Sequence, residues 1–141
     1  MWMGSSTFPL GKRQLIVTQH LSPNCGPRRD GTQPDMVVLH YTAMTSANNA
    51  VKTLCDPKAE VSAHYLIAED GEVVLLVPEE LRAWHAGVGQ WGAVRDVNSH
   101  SIGIELSNTG TTPFAAAQMN LSLIHIPSPR DKRQSRMPSS A

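Results

Sequence analysis

The run Met36-Val-Val-Leu-His-Tyr41 constrains the fold more than any other segment. It is apolar along its length, carries two adjacent valines, and follows the turn signal Pro34-Asp35. Such a run predicts a strand buried on both faces, as in the interior of a parallel or mixed sheet. A second run, Ser101-Ile-Gly-Ile-Glu-Leu106, predicts another strand with a sharp apolar pattern. Gly103 inside it predicts the close approach of another backbone or of a ligand.

The segments between these runs complete a sheet with helical cover. Ser46 can cap a helix through Leu54, with Ala47, Ala50, Val51 and Leu54 on one face, and Asp56-Pro57 stops it. Val61–Ile67 and Glu72–Val77 flank Glu69-Asp-Gly71, which is a hairpin signal. Ala83 to Asn98 holds three glycines and two tryptophans without periodicity and predicts a long structured loop. Asn108-Thr-Gly110 turns the chain, and a helix is expected to start at Pro113. Residues 1–21 predict an irregular segment with one short strand at Gln14–Thr18, and Ser22–Gly31 predicts a loop. The fold class expected is α+β, a mixed central β-sheet flanked by helices.

Composition excludes several functions. The 141 residues carry twelve basic and twelve acidic side chains, so no broad basic surface points to nucleic acid. The balance hides an asymmetry: residues 1–120 hold 8 Lys/Arg against 11 Asp/Glu, and residues 121–141 hold 4 against 1. No apolar run approaches the roughly 18 residues of a membrane span. Cys25 and Cys55 form neither a disulfide framework nor a metal knuckle, and suit a reducing compartment. The N-terminus lacks an apolar core of signal-peptide length, which predicts a cytoplasmic protein. A start misassigned within Met1–Leu21 would hide an export signal and make it periplasmic.

Several side chains could carry chemistry. His40 ends the most apolar strand, where a ladder fixes the side chain and its tip reaches a crevice. A neutral imidazole there suits a zinc ligand, and the alternative is a core histidine bonded to a carbonyl. Glu105 follows Ile102-Gly-Ile and shares the face of Gly103. A carboxylate so placed is costly to bury unless paired, metal-linked or catalytic; the alternative is a solvent-facing strand end. Trp84-His85-Ala86-Gly87 offers an aromatic face and an imidazole for a sugar or peptide, or else a Trp packed beneath a loop. His64, mid-strand in Ser62-Ala-His-Tyr65, predicts a structural or supporting role.

Together these segments are far more specific than any alone. Val37-Val-Leu-His-Tyr-Thr-Ala43, Val61-Ser-Ala-His-Tyr-Leu-Ile67, Asp70-Gly71, Val77-Pro78, Arg82-Ala-Trp-His-Ala-Gly87, Asp96-Val-Asn98 and Ser101–Leu106 occur in this order. The pattern strongly resembles the type 2 (AmpD/AmiD-like) N-acetylmuramoyl-L-alanine amidases, over about residues 22–119. The resemblance implies the fold of peptidoglycan recognition proteins and phage T7 lysozyme. It implies hydrolysis of the amide between N-acetylmuramic acid and L-alanine in peptidoglycan or muropeptides, by a monomer using one Zn2+. By the same resemblance His40 matches the first zinc ligand and Glu105 the catalytic glutamate. Trp84, His85 and Tyr41 fall at substrate-binding positions, and His64 belongs to the Ser-Ala-His strand.

The resemblance stops after Asn120. The family's second histidine ligand, third ligand and catalytic lysine follow the glutamate in a pattern absent from this sequence. Leu121-Ser-Leu-Ile-His-Ile126 instead resembles the translation of a transposase adapter used in DNA library preparation, and Pro127–Asp131 fits its continuation. The domains expected are thus 1–21 irregular, 22–120 a partial amidase domain, and 121–141 a basic tail of adapter origin. A natural basic tail for an acidic polymer or membrane surface is the alternative. On this reading His125 is not a ligand, the chain by itself is inactive, and low stability is expected. A non-catalytic muropeptide-binding module is the competing function.

Overall fold

The computed structural model describes the backbone of residues 5–10 and 13–124, and the side chains of residues 17–120. In chain order the strands and helices are β1 (Ser5–Leu10), β2 (Arg13–Gln19), β3 (Cys25–Pro27), β4 (Met36–Tyr41), α1 (Ala47–Leu54), β5 (Tyr65–Ile67), β6 (Val73–Leu75), β7 (Leu81–Ala83), α2 (Val97–His100), β8 (Ser101–Leu106) and α3 (Ala116–Ile124).

Six strands form one sheet in the order β1-β2-β6-β5-β8-β4, and β3 pairs with β7 in a small second ribbon. β4, β8 and β5 run parallel, β5 and β6 form the antiparallel hairpin, and β2 joins β6 in parallel. The mixed α+β sheet is the one expected. The hairpin turn also forms as its residues dictate: Gly71 takes φ 89°, and Asp70 Oδ1 accepts from the Glu72 N–H at 2.9 Å. At α1 the Ser46 side chain accepts from the Asn49 N–H at 3.2 Å, and Ala50 and Leu54 are buried.

The two faces of the sheet differ. One face packs Leu66, Val74 and Leu76 against Ala50 and Leu54 of α1. The other gathers Val17, Ile67, Val73, Ile102, Ile104 and Leu106. The register builds a row across five strands on the α1 face: Thr18, Val74, Leu66, Glu105 and His40. The row runs from apolar floor beneath α1 to a carboxyl and an imidazole at the end of the parallel strands. The floor desolvates Glu105.

Several expectations are corrected. β4 is not buried on both faces. It is the last strand in the sheet order, and Val37, Leu39 and Tyr41 remain 41%, 43% and 54% exposed. The N-terminal segment is a β1–β2 hairpin attached to the main sheet, in place of one short strand. Strand β5 is short because Ser62 and His64 bond with Trp84 O and Gly103 O in place of a regular ladder. The long loop ends by entering α2, capped by Asp96, whose side chain accepts from the Ser99 N–H. Helix α3 starts at Ala116, three residues after the expected Pro113, and continues to Ile124, past Asn120 where the resemblance stops. It is pinned by the buried Gln118, whose amide donates to Ser107 O at 2.8 Å and Ile67 O at 3.1 Å. His125 lies outside the described residues.

Candidate active site

The site forms at the C-terminal ends of β4 and β8, where strand register places His40 beside Glu105. Glu105 is held largely out of water, and its Oε2 is buried without a hydrogen-bond partner among the described residues. Burial pushes its carboxyl up to about 7. A group with that pKa can take and return a proton near neutrality.

His85 comes from the loop after β7. Its ring covers Gly103: a Cβ at that position would stand 2.4 Å from His85 Cδ2. The glycine therefore admits a side chain, where a backbone or ligand was expected. His85 Nδ1 lies 2.9 Å from His40 Nε2, and His85 Nε2 lies 2.9 Å from Ser101 Oγ. Burial, then the neighbouring His40, His64, Arg28 and Arg82, pull the His85 pKa down to about 3. Burial also lowers His40. Both imidazoles are neutral at physiological pH.

Asn98 anchors this loop. Its Oδ1 accepts from the backbone N–H of His85 at 3.1 Å and of Ala86 at 2.8 Å. Arg82 pairs with Asp96 at 2.9 Å and ties the loop to the start of α2. The Ser62 hydroxyl accepts from the Trp84 N–H at 2.8 Å and donates to Asn24 O.

His64 is fully buried and supports the site from below. Its Nδ1 accepts from the Gly103 N–H at 3.0 Å, so its Nε2–H donates to Leu81 O at 2.9 Å. Burial lowers its pKa to about 4; the Leu81 carbonyl opposes this and the Arg28 charge adds to it. Arg28 is buried as well, and donates to the carbonyls of Glu79, Asn98, Ser99 and Ser101.

A cleft of about 260 Å3 opens over this floor. Trp84, His85, Asn98 and Glu105 line one side, and Met44, Leu54 and Val61 contribute apolar surface. Its size is near the lower end for ligand pockets. Of the residues expected at the site, Glu105, His85 and Trp84 converge on the cleft, and His40 meets them through His85. Tyr41 does not join them. Strand alternation turns it to the opposite face, where its ring abuts Gly110. Sequence reasoning missed Ser101 and Arg28 as site supports, because one is a strand's first residue and the other sits in a turn-rich loop. Asn98 was visible only as part of Asp96-Val-Asn98.

The resemblance implies zinc, and the donors present fit one corner of such a centre. His40 engages His85 through Nε2 and has its second ring nitrogen for a metal, while an orphaned carboxyl oxygen stands alongside. Among the described residues no group of three or more His, Cys, Asp or Glu is placed to hold a metal ion. Zinc takes three or four protein ligands.

Comparison with known proteins gives the same family. The N-acetylmuramoyl-L-alanine amidase family model matches residues 30–125. The 1,6-anhydro-N-acetylmuramyl-L-alanine amidase AmpD of Escherichia coli is 38% identical over 114 residues, covering 69% of this chain and 62% of AmpD. The amidase AmiD of the same organism is 40% identical over 82 residues, 53% of this chain and 29% of AmiD. A crystal structure of an AmpD derivative superposes with TM-score 0.65 at 33% identity, covering 72% of this chain and 66% of the other. AmpDh3 from Pseudomonas aeruginosa, in complex with anhydromuramic pentapeptide, gives TM-score 0.58 at 35% identity, covering 67% and 44%. The chain thus spans about three fifths of the length of the AmpD relatives it matches. Among the described residues no helix is long and apolar enough to cross a membrane. By sequence and fold, the chain belongs to the N-acetylmuramoyl-L-alanine amidase family.

Proposed function

We propose that this chain forms the substrate cleft and general-base portion of a zinc-dependent amidase that cleaves the bond between N-acetylmuramic acid and L-alanine. The observation that carries this reading is the Glu105 oxygen, buried at the cleft beside His40 without a partner among the described residues, with a pKa raised to about 7. The substrate class is a 1,6-anhydro-muropeptide, as the AmpD relatives' names specify. The site of action is the cytoplasm, and the working form is a monomer.

Glu105 accepts the proton of the attacking water and returns it to the departing L-alanine amine. Its raised pKa makes both transfers accessible near pH 7. Trp84 presents an aromatic wall to the sugar or the peptide. Asn98 fixes the loop that carries Trp84 and His85. His40 is the ligand this portion contributes to zinc, which when bound supplies positive charge to polarise the scissile carbonyl and activate water.

With one ligand of that set among its described residues, the chain by itself binds muropeptide and does not turn it over. The competing reading, a pure binding module, is disfavoured by the cost of keeping Glu105 desolvated for no chemistry. The test is titration of an anhydro-muropeptide into the 15N-labelled chain, with one equivalent of zinc and release of L-alanyl peptide followed in the same sample. Saturable changes at Trp84, His85 and Asn98 without release are expected. Binding elsewhere, or none, overturns the cleft assignment. Release abolished in Glu105→Gln overturns only the inactivity, and release that persists in that variant removes Glu105 from the mechanism.

A further inference from the structure

We infer that His85, anchored by Ser101, is a positioning residue that locks His40 in one tautomer, with its hydrogen on Nε2 and a bare lone pair on Nδ1. The direction of each hydrogen bond follows from proton counting. Ser101 has one hydroxyl hydrogen, and its Oγ stands 2.6 Å from Val97 O, which can only accept. That hydrogen is therefore spent on Val97. Ser101 Oγ must then accept from His85 Nε2–H, across 2.9 Å. A neutral His85 with hydrogen on Nε2 has a lone pair on Nδ1, so the hydrogen in the 2.9 Å bond to His40 belongs to His40 Nε2.

The surroundings permit no easy reversal. Ser101 is fully buried. The His85 ring is seated on Gly103, where no side chain competes for its place. Its backbone is clamped by Asn98 Oδ1. Val97, at the start of α2, thus dictates through two side chains which nitrogen of His40 is available as a donor. No described residue hydrogen-bonds to His40 Nδ1.

The inference deepens the proposed function, because a metal ligand works best when its other ring nitrogen is committed to a partner. It does not depend on that function for its test. The tautomer is read in the metal-free full-length chain by long-range 1H–15N correlation of the histidine rings at pH 7.5. Wild type is expected to show His40 as the Nε2–H form by at least about tenfold over the other. Ser101→Ala removes the acceptor for His85 Nε2–H and is expected to bring His40 towards a mixture of both forms. His85→Leu is expected to do the same, and His85→Asn, which keeps an acceptor oxygen near the Nδ1 position, to restore the bias. A merely structural His85 would lower thermal stability on substitution and leave the His40 tautomer unchanged, which overturns the inference. So does a wild-type His40 carrying its hydrogen on Nδ1. A correct tautomer in a chain that fails to bind muropeptide would retain the inference and remove the proposed function.

Discussion

The His85 ring occupies the space that a side chain at residue 103 would need, with its Cδ2 2.4 Å from the Cβ position. The strand carrying Glu105 and the loop carrying His85 are matched at this one glycine. Gly103→Ala should therefore push the ring off the strand. Overpacking of this kind costs about 1–3 kcal/mol, more than the small strand-propensity gain of alanine. Urea unfolding should show a lower midpoint, and the His85 ring signals should move. Unchanged stability with unmoved His85 signals would mean that the ring does not rest on Gly103.

Glu105 should make the protein less stable at high pH. Its folded pKa of about 7 lies above the ordinary 4.5, so the folded state holds the proton more tightly. The stability it contributes is full below about pH 4.5 and is lost as pH rises through 7. Glu105→Gln removes this dependence. After allowance for partial solvent screening, the variant should be more stable than wild type by about 1–2 kcal/mol at pH 8, and nearly equal to it at pH 4.5. Thermal melts at the two pH values check this.

His64 has the opposite sign. Its pKa is lowered from 6.5 to about 4 by burial, so the neutral ring belongs to the fold. Its contribution is full above pH 6.5 and is lost as pH falls through 4. Over that window it amounts to about 3 kcal/mol. Urea midpoints measured in steps from pH 7 to 4 should show this loss in wild type. His64→Asn should show a shallower slope from a lower starting stability, since Gly103 N–H and Leu81 O lose a well-placed partner.

Asn98→Ala should loosen the cleft loop. Two backbone N–H groups, of His85 and Ala86, lose their shared acceptor. Each buried unsatisfied group costs about 1–3 kcal/mol. Amide hydrogen exchange at residues 85 and 86 should accelerate, while Asn98→Asp, which keeps an acceptor oxygen, should protect them far better. Equal exchange in the two variants would show that the loop is held by other contacts.

What was legible in the sequence is what depends on neighbours along the chain. The Ser46 cap, the Asp70-Gly71 turn and the strands β4 and β8 follow from short-range chemistry, and form where their residues place them. The β1–β2 hairpin, the β3–β7 ribbon and helix α2 rest on distant partners. Cys25, for instance, pairs with Ala83, which no local pattern announces. Even the strongest signal was read too far: the apolar run of β4 promised burial on both sides, yet it ends the sheet order with three apolar side chains half-exposed. Tyr41 could have been assigned from alternation alone, since neighbours in a strand face opposite ways and His40 already took the site side. The proton order through Ser101, His85 and His40 could not, because it depends on three residues brought together from β8, the loop after β7 and β4.

The central claim is that Glu105 is a desolvated base in a muropeptide cleft. The most direct test follows the 13C carboxyl signal of Glu105 against pH, in the free chain and with an anhydro-muropeptide bound. The account predicts a midpoint near 7 in the free chain, and a displaced midpoint when ligand fills the cleft. A midpoint near the ordinary 4.5, unmoved by the muropeptide, would contradict both the base and the cleft.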